Sequence, residues 1–120
     1  MITTFKAKAK KMAEGLTVET EARNFKIIYD EPEDMGGTDK GLNPVEALLA
    51  TFGACQSIVA SAFADANDFS FEEFWIDLEG DIDLDGFMGI SDVRKGFQEI
   101  RYTVHFKTNE IGRASCRERV

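Results

Sequence analysis

The sequence has few of the residues on which disulfide frameworks and most metal sites depend. It contains two cysteines and one histidine among 120 residues. Two cysteines do not make a disulfide framework, so each thiol must be considered for packing or for reactivity. The single histidine, His105, has no second histidine or cysteine pair near it, and we predict a surface residue on the polar side of a late strand rather than a metal ligand. No serine-hydrolase, dithiol or zinc-protease motif occurs, and nothing indicates a cofactor.

Positive charge is also scarce. The chain has 14 basic and 22 acidic residues, which gives a formal net charge of −8 at pH 7. Nucleic acids and anionic membranes require positive potential on a protein surface, so we expect neither as a partner. The N-terminal residues are basic and lack the apolar core of a signal peptide, which favours the cytoplasm.

Charge is absent altogether from residues 47–64, although 30% of the chain is charged. Asn43 suits a helix N-cap, Pro44 suits the first helical position, and Glu46 falls where a capping box places its acidic residue. The pattern predicts a long central helix that begins at Pro44 and carries Cys55 in its middle. Gly53 and several serines and alanines make this helix a poor membrane span, so we expect no membrane partner.

The spacing of side chains divides this helix into two faces. Large residues share one face, on which we expect a sheet: Leu48, Thr51, Phe52, Cys55, Ile58, Val59 and Ala62. Gly53, Ser57 and Ser61 form a flat face, on which we expect a second helix. A short chain has little material with which to cover such a helix on every side, so we predict that a partner chain supplies part of the cover.

Alternation of apolar and polar residues predicts strands on both sides of the helix. Three of them, within residues 2–11, 16–22 and 25–29, form an antiparallel meander, and two more follow within residues 71–85 and 99–106. Residues 30–43 form an ordered connector, in which Gly36 and Gly37 allow close backbone approach. The fold class is α+β, with the order βββ, α, ββ.

An acidic run in the fourth strand needs its own interpretation. Asp81, Asp83, Asp85 and Asp92 fit the register of a calcium-binding EF-hand loop. That loop requires a helix on each side, whereas this segment alternates like a strand. We therefore interpret the run as a solvated strand face followed by a turn at Asp85, and predict no metal site.

The C-terminal residues differ in character from the rest. Residues 112–120 carry three arginines and one glutamate in an otherwise acidic chain. We predict one domain over residues 1–111 and a tail of foreign appearance over residues 112–120. The tail contains Cys116, whose role stays open.

Two interpretations of Cys55 follow from the residues alone. A lone cysteine in an apolar helix is commonly a small core residue. A reactive thiol instead requires a positively charged neighbour, which a mid-helix position does not provide through the helix dipole. Such a neighbour must come from elsewhere in the fold.

Three segments together resemble the OsmC-like branch of the OsmC/Ohr superfamily. They are the run DEPEDMGGTDKGLNPVEALLATFGAC, the later LEGDIDLDGF, and KGFQEIRYTVHFK. The resemblance covers about residues 1–110. It implies an α+β fold in an intertwined homodimer with two central helices, and an activity as a thiol peroxidase that reduces organic hydroperoxides or hydrogen peroxide. Cys55 matches the cysteine that attacks the peroxide. In the family, this cysteine becomes a sulfenic acid, with which a second cysteine then forms a disulfide.

The sequence departs from the peroxidase pattern at three places. Val45 stands where those proteins have a glutamate after the helix-starting proline, and Glu46, one residue later, is better suited to the cap. Their thiolate-stabilising arginine has no direct counterpart, which leaves Arg23 as a substitute. The C-terminal helix with its resolving cysteine and following proline is not evident, and the context of Cys116 does not match it, which suggests a truncated chain.

Three functional interpretations result. The first is an OsmC-like thiol protein of oxidative-stress defence, a possible peroxide reductase with Cys55 as nucleophile, Glu46 and Arg23 as further site residues, and an external thiol as reductant. The second is a non-catalytic dimeric module that binds a small apolar ligand in the interface cavity. The third is an oligomer without a site.

Overall fold

A computed structural model describes residues 1–108 fully and the backbone of residues 112–119. The chain divides into two compact units, Met1–Leu48 and Leu49–Val120. The N-terminal unit contains β1 (Lys8–Lys11), β2 (Val18–Ala22) and β3 (Phe25–Tyr29), followed by a 3-10 turn (Glu33–Met35). Helix α1 (Pro44–Ala66) begins there and continues into the C-terminal unit, which adds β4 (Glu73–Ile82), α2 (Leu84–Phe87), β5 (Phe97–Thr108) and β6 (Gly112–Arg119). The α+β class is confirmed.

The first three strands form the predicted antiparallel meander in the order β1-β2-β3. Arg23 and Asn24 join β2 to β3 and have φ angles of 50° and 73°. Positive φ at both central residues is the signature of a tight hairpin turn that matches strand twist. The register pairs Val18 with Tyr29 and Ala22 with Phe25. Strand β1 is shorter than the alternation over residues 2–11 predicted.

The second sheet has the order β4-β5-β6, with antiparallel pairing throughout. Its first two strands confirm the alternation, because Ile76 pairs with Val104 and Leu78 pairs with Tyr102 on one face. A third strand joins the two predicted after the helix, since residues of the tail form β6 along β5, with Cys116 opposite Val104. The side chain of Cys116 lies outside the described residues. The register shifts between Asp81 and Ile82, and the pairing of β4 ends with Ile82 opposite Phe97.

Helix α1 begins as the sequence predicts. The Asn43 Oδ1 accepts from the Glu46 N–H at 2.8 Å, and the Glu46 Oε1 accepts from the Asn43 N–H at 2.9 Å. This reciprocal pair satisfies two backbone donors that the first helical turn leaves free. At the other end, the Asn67 side chain donates to the Phe63 carbonyl, and Asp68 adopts a φ of 53°.

The face of α1 that meets the second sheet differs from the predicted one, except at Phe52, whose ring centre lies 5.6 Å from that of Tyr102 on β5. Gly53 is buried, and a Cβ atom placed there would lie 2.8 Å from Leu78 Cδ1 and 3.5 Å from Ile76 Cγ2 of the second sheet. Gly53 therefore faces the sheet, because its lack of a side chain lets the helix approach closely, whereas Ser61 is exposed. The packing also partly buries the Ser57 hydroxyl. This hydroxyl donates a hydrogen bond to the Gly53 carbonyl at 2.8 Å and so has a partner.

Several large residues of α1 lie uncovered in the single chain. Exposure is 57% at Leu48, 70% at Ile58 and 61% at Val59. Within residues 1–108, the only strongly buried apolar residues are Ala47 and Ala64, at 8% and 6% exposure. A monomer rarely leaves such a continuous apolar stripe in water.

Candidate functional site: a helix cysteine beside an aromatic cleft

Cys55 is a free, exposed thiol on the outward face of α1. Its neighbours along that face, one turn before and after, are Thr51 and Val59. The interpretation of Cys55 as a small core residue is therefore wrong for the single chain. A peroxide or a thiol reagent can reach this sulfur without any rearrangement of the chain that carries it.

Glu46 does not meet Cys55. The two residues lie on the same helix, nine positions apart. At 100° and 1.5 Å per residue, this spacing places them on opposite sides of the helix, about 13.5 Å apart along its axis. The carboxylate is engaged in the N-cap, so the structure gives Glu46 a structural role at the start of the helix.

Arg23 lies in the hairpin turn of the N-terminal unit, whereas Cys55 belongs to the C-terminal unit. The guanidinium carbon stands 5.2 Å from the centre of the Phe25 ring. This cation–π contact is exposed, because 67% of Phe25 is accessible to solvent. Arg23 is thus held near the start of β3 by an aromatic ring and pairs with no carboxylate in the described part of the chain.

A cleft of about 620 Å³ opens within the C-terminal unit, one helical turn from Cys55. We call it the aromatic cleft. One wall consists of helix α1 and its C-terminal end, with the residues Gln56, Val59, Ala60, Phe63, Ala64 and Asn67. The other wall consists of strands β4 and β5 and the segment before β4, with the residues Phe69, Phe71, Phe74, Val104 and Phe106. No charged side chain is among these residues.

Four phenylalanines give the cleft its shape. The ring centres of Phe71 and Phe74 are 5.3 Å apart, and those of Phe71 and Phe106 are 6.4 Å apart. Phe69 meets Phe71 and Phe106 edge-on at 6.0 and 6.5 Å. These are the separations at which aromatic pairs attract each other, so the wall is preformed. The segment that carries Phe69 and Phe71 is tied to β5, because the Thr108 hydroxyl donates to the Ser70 carbonyl at 3.0 Å.

The opposite face of the second sheet is polar and organised around Arg101. Its guanidinium forms two hydrogen bonds with the Asp81 carboxylate, at 2.7 and 2.9 Å, and one with Glu99 at 2.6 Å. The Asp81 and Glu99 carboxylates further raise the pKa of Arg101, mainly through these hydrogen bonds, so the side chain stays charged. Asp81 therefore acts as a partner of Arg101 on the strand face, as the strand interpretation of the acidic run requires.

Asp83 of that run binds the backbone. The Asp83 Oδ1 accepts from the N–H groups of Asp85 and Gly86, and so caps the short helix α2. Within residues 1–108, no group of three or more His, Cys, Asp or Glu side chains converges as metal ligands would.

His105 is less exposed than predicted. Its side chain is 21% accessible, stacks on Trp75 with ring centres 4.8 Å apart, and places Nε2 at 3.1 Å from Asp77 Oδ2. The position on the polar side of β5 is as predicted. The cover comes from Trp75, its cross-strand partner.

Asp30 is a site that the sequence did not reveal. It is 2% exposed, and its carboxylate accepts hydrogen bonds from the Thr17 and Thr38 hydroxyls at 3.0 and 2.6 Å. The N–H groups of Glu31, Thr38 and Lys40 add three more. These bonds, the Thr38 hydroxyl first, hold the pKa of Asp30 well below its usual range despite burial. The carboxylate thus fixes the connector between β3 and α1.

Glycines in the connector fit this arrangement. A Cβ atom at Gly37 would overlap the Glu31 carbonyl oxygen and lie 2.7 Å from Asp30 Oδ1. Gly36 adopts a φ of 91°, which other residues rarely adopt. The predicted close backbone approach at the glycine pair is confirmed, and its purpose is to wrap the chain around Asp30.

Helix α1 also meets the length and composition of a membrane span, with a mean hydropathy of 1.6 and 17% of that window buried. One such helix is weak support for a membrane protein, because core helices of soluble proteins pass the same test. This helix packs against the second sheet through Gly53. We therefore interpret α1 as a helix that packs on the second sheet.

Comparison with known proteins identifies the family to which the chain belongs. A family model described as OsmC-like protein matches residues 37–118. Among solved structures, the chain is similar to the crystal structure of an OsmC-like protein from Mycoplasma pneumoniae, with 22% identity and a TM-score of 0.68. That alignment covers 83% of this chain and 66% of the Mycoplasma chain, so this chain spans just under two thirds of that relative's length. No curated protein matches the sequence. Since the family model covers more than half of the sequence, the chain belongs to the OsmC-like protein family.

Proposed function

We propose that the protein reduces hydroperoxides in oxidative-stress defence in the cytoplasm, with the Cys55 thiolate as the nucleophile. The observation that carries this proposal is an exposed free thiol on α1, one helical turn from a preformed aromatic cleft. An apolar cleft beside a nucleophile binds the organic part of a hydroperoxide and leaves its O–O bond near the sulfur. Membership in the OsmC-like family supports the same assignment.

The proposed reaction has two stages. The thiolate attacks the terminal oxygen of ROOH, the O–O bond breaks, and the leaving alkoxide takes a proton to become ROH, so that Cys55 becomes a sulfenic acid. An external dithiol then attacks the sulfenic sulfur, releases water and forms a mixed disulfide. The second thiol of the reductant displaces Cys55, which returns to the reduced state while the reductant leaves as a disulfide.

Activation of the thiol requires a positive charge that helix α1 does not provide. We propose Arg23 of a second copy for this role. It is a suitable group because it pairs with no described carboxylate and is presented at an exposed turn. Neutralising it as Arg23→Gln lowers the peroxidase rate about tenfold or more if it stabilises the thiolate.

A homodimer is part of the proposal. The stripe formed by Leu48, Cys55 and Ile58 is exposed in one chain, with Ile58 at 70%. A second copy of the same helix offers an equally apolar surface, and a two-fold arrangement would bring the two stripes together. Such an interface would enclose both cysteines and dehydrate the space in which the peroxide reacts.

Peroxide consumption in the presence of a dithiol reductant tests the proposed activity. We expect turnover by the wild-type protein and loss of turnover in Cys55→Ser. Thr51→Ser is a matched control, because it lies one turn away on the same helix face and carries no thiol. Equal, negligible rates in wild-type protein and in Cys55→Ser would refute the peroxidase assignment.

A second candidate function is a non-catalytic dimeric module that binds a small apolar ligand. It is favoured by the uncharged lining of the aromatic cleft and by the absence of a described ion pair at Cys55. Alkylation kinetics separate the two candidates. A binding module predicts that Cys55 reacts with iodoacetamide at pH 7 no faster than free cysteine, whereas a peroxidase predicts a clearly faster reaction.

A further inference from the structure

A second cavity belongs to the N-terminal unit. It is an open groove of about 700 Å³, which we call the basic groove. Its walls come from the segment before β1, the end of β2 and the hairpin turn that follows, with the residues Thr4, Phe5, Lys6, Ala7, Ala22 and Arg23. Two of these side chains are cationic, and none of them is acidic. The groove is therefore a local concentration of positive charge in a chain whose net charge is −8.

Neither cation of the basic groove is neutralised by a carboxylate in the part of the chain that the structure describes. Lys6 takes part in no described ion pair, and Arg23 contacts only the Phe25 ring, with its guanidinium carbon 5.2 Å from the ring centre. Phe25 has no acceptor oxygen, so the N–H donors of the guanidinium stay available to a ligand. Lys26 of the same sheet differs, because it pairs with Glu19 at 3.3 Å.

The acidic residues of β2 do not cancel this positive charge. In the register of β1 and β2, Glu21 lies opposite Lys8 and Glu19 lies opposite Lys10. Successive side chains of a strand point to opposite faces, so Glu21 points away from the face of Ala22, which lines the groove. Both glutamates therefore share their face of the sheet with lysines outside the groove.

The remaining wall of the basic groove is largely apolar. Phe5 is 90% exposed, and the two alanines leave space beside its ring. An aromatic ring in water gains free energy when an apolar group covers it. The lining thus combines two cationic groups with an apolar surface, which suits a ligand that has one anionic group and a small apolar body.

We propose that the basic groove binds small organic carboxylates, with the carboxylate held by Lys6 and Arg23 and the apolar body against Phe5. The planar guanidinium matches the two oxygens of a carboxylate, and the lysine ammonium adds a second positive charge. Both side chains are exposed, so each contact is screened by water and the affinity is modest.

The basic groove shares one residue with the proposed peroxidase. Arg23 is the group that we propose to stabilise the Cys55 thiolate of a second copy, so a bound carboxylate competes with that thiolate for the guanidinium. Organic carboxylates would then inhibit turnover. This consequence rests on the proposed function, whereas the binding of the carboxylate does not.

NMR titration of the full chain at pH 7 and low ionic strength tests the binding. The probes are benzoate, benzyl alcohol, which lacks the charge, and acetate, which lacks the ring. The backbone amide shifts of Phe5, Lys6 and Arg23 report the site, so that binding elsewhere is not counted. Benzoate is also titrated into Lys6→Gln and Arg23→Gln, and into Lys26→Gln as the matched control, which removes the same charge from the same unit outside the groove.

We expect each groove variant to bind benzoate about threefold more weakly than wild type, the scale of one exposed ion pair, and Lys26→Gln to bind it unchanged. Benzyl alcohol, which loses both charge contacts, should bind about tenfold more weakly than benzoate, and acetate about threefold more weakly. Equal affinity for benzoate and benzyl alcohol, equal affinity for benzoate and acetate, an equal loss in Lys26→Gln, or unchanged groove amides would overturn the inference. An inactive wild-type enzyme refutes the peroxidase proposal alone, since no arm of this experiment depends on turnover.

Discussion

Replacement of Gly53 by valine tests the orientation of the helix that carries the site. A Cβ atom at this position already lies 2.8 Å from Leu78 Cδ1 and 3.5 Å from Ile76 Cγ2, and valine adds two further methyl groups to the same space. Valine is about 0.4 kcal/mol better than glycine in a helix. Overpacking a filled contact costs about 1–3 kcal/mol, and the short distances place this site near the upper end. The net expectation is a loss of about 2 kcal/mol in the free energy of unfolding.

Thermal and urea unfolding followed by circular dichroism measure this loss. A decrease of about 2 kcal/mol lowers the melting temperature by roughly 8 °C in a chain of this size. The matched control is Ala50→Val, at an exposed position of the same helix, for which only the lower helix propensity of valine applies, about 0.6 kcal/mol. If Gly53→Val is as stable as wild type or more stable, the small residues do not face the sheet, and the large residues around Cys55 do.

Two further predictions concern the N-terminal unit. Because the pKa of Asp30 is lowered in the folded state, its contribution to stability is present above the unfolded value of about 4 and is lost as the pH falls below it. Urea titrations between pH 3 and 7 should show that Asp30→Asn is less stable overall and that its free energy of unfolding decreases less as the pH falls. The same pH dependence in both proteins would contradict the role of the carboxylate. Asn43→Ala removes the N-cap acceptor and should cost about 1 kcal/mol, whereas no change in urea midpoint would show that the cap is unimportant.

Local chemistry made much of the fold predictable. The start of α1 depends on Asn43 and Glu46, which are three residues apart, and the sequence therefore contains the whole capping box. Alternation identified β4 and β5, because each has one face on the helix and one in water. The hairpin between β2 and β3 needed only Arg23 and Asn24 between two β-rich runs.

The faces of α1 could not be assigned in this way. Hydrophobicity favoured the stripe with Leu48 and Ile58 as the buried face, but close approach to Ile76 and Leu78 favours the face of Gly53. Which of the two meets the sheet depends on residues more than twenty positions away. The line of small residues could be recognised in the sequence, but the sequence did not indicate that the helix contacts the sheet through Gly53.

Asp30 and strand β6 escaped prediction for related reasons. An aspartate in a polar loop is normally solvated, and its burial here depends on hydroxyl groups from Thr17 and Thr38, far away on either side in the sequence. Strand β6 lacks a clear alternation, and it forms by backbone pairing along β5. Both features come from contacts that only the folded chain brings together.

The central claim is that Cys55 reacts as a peroxide nucleophile. Mass spectrometry of the intact protein, after one equivalent of an organic hydroperoxide in the presence of dimedone, tests it most directly, since dimedone traps sulfenic acid. We predict that the wild-type protein gains one dimedone adduct, on Cys55, and that the Cys55→Ser protein stays unmodified over the same reaction time. A protein that stays reduced at Cys55 under these conditions would contradict the account.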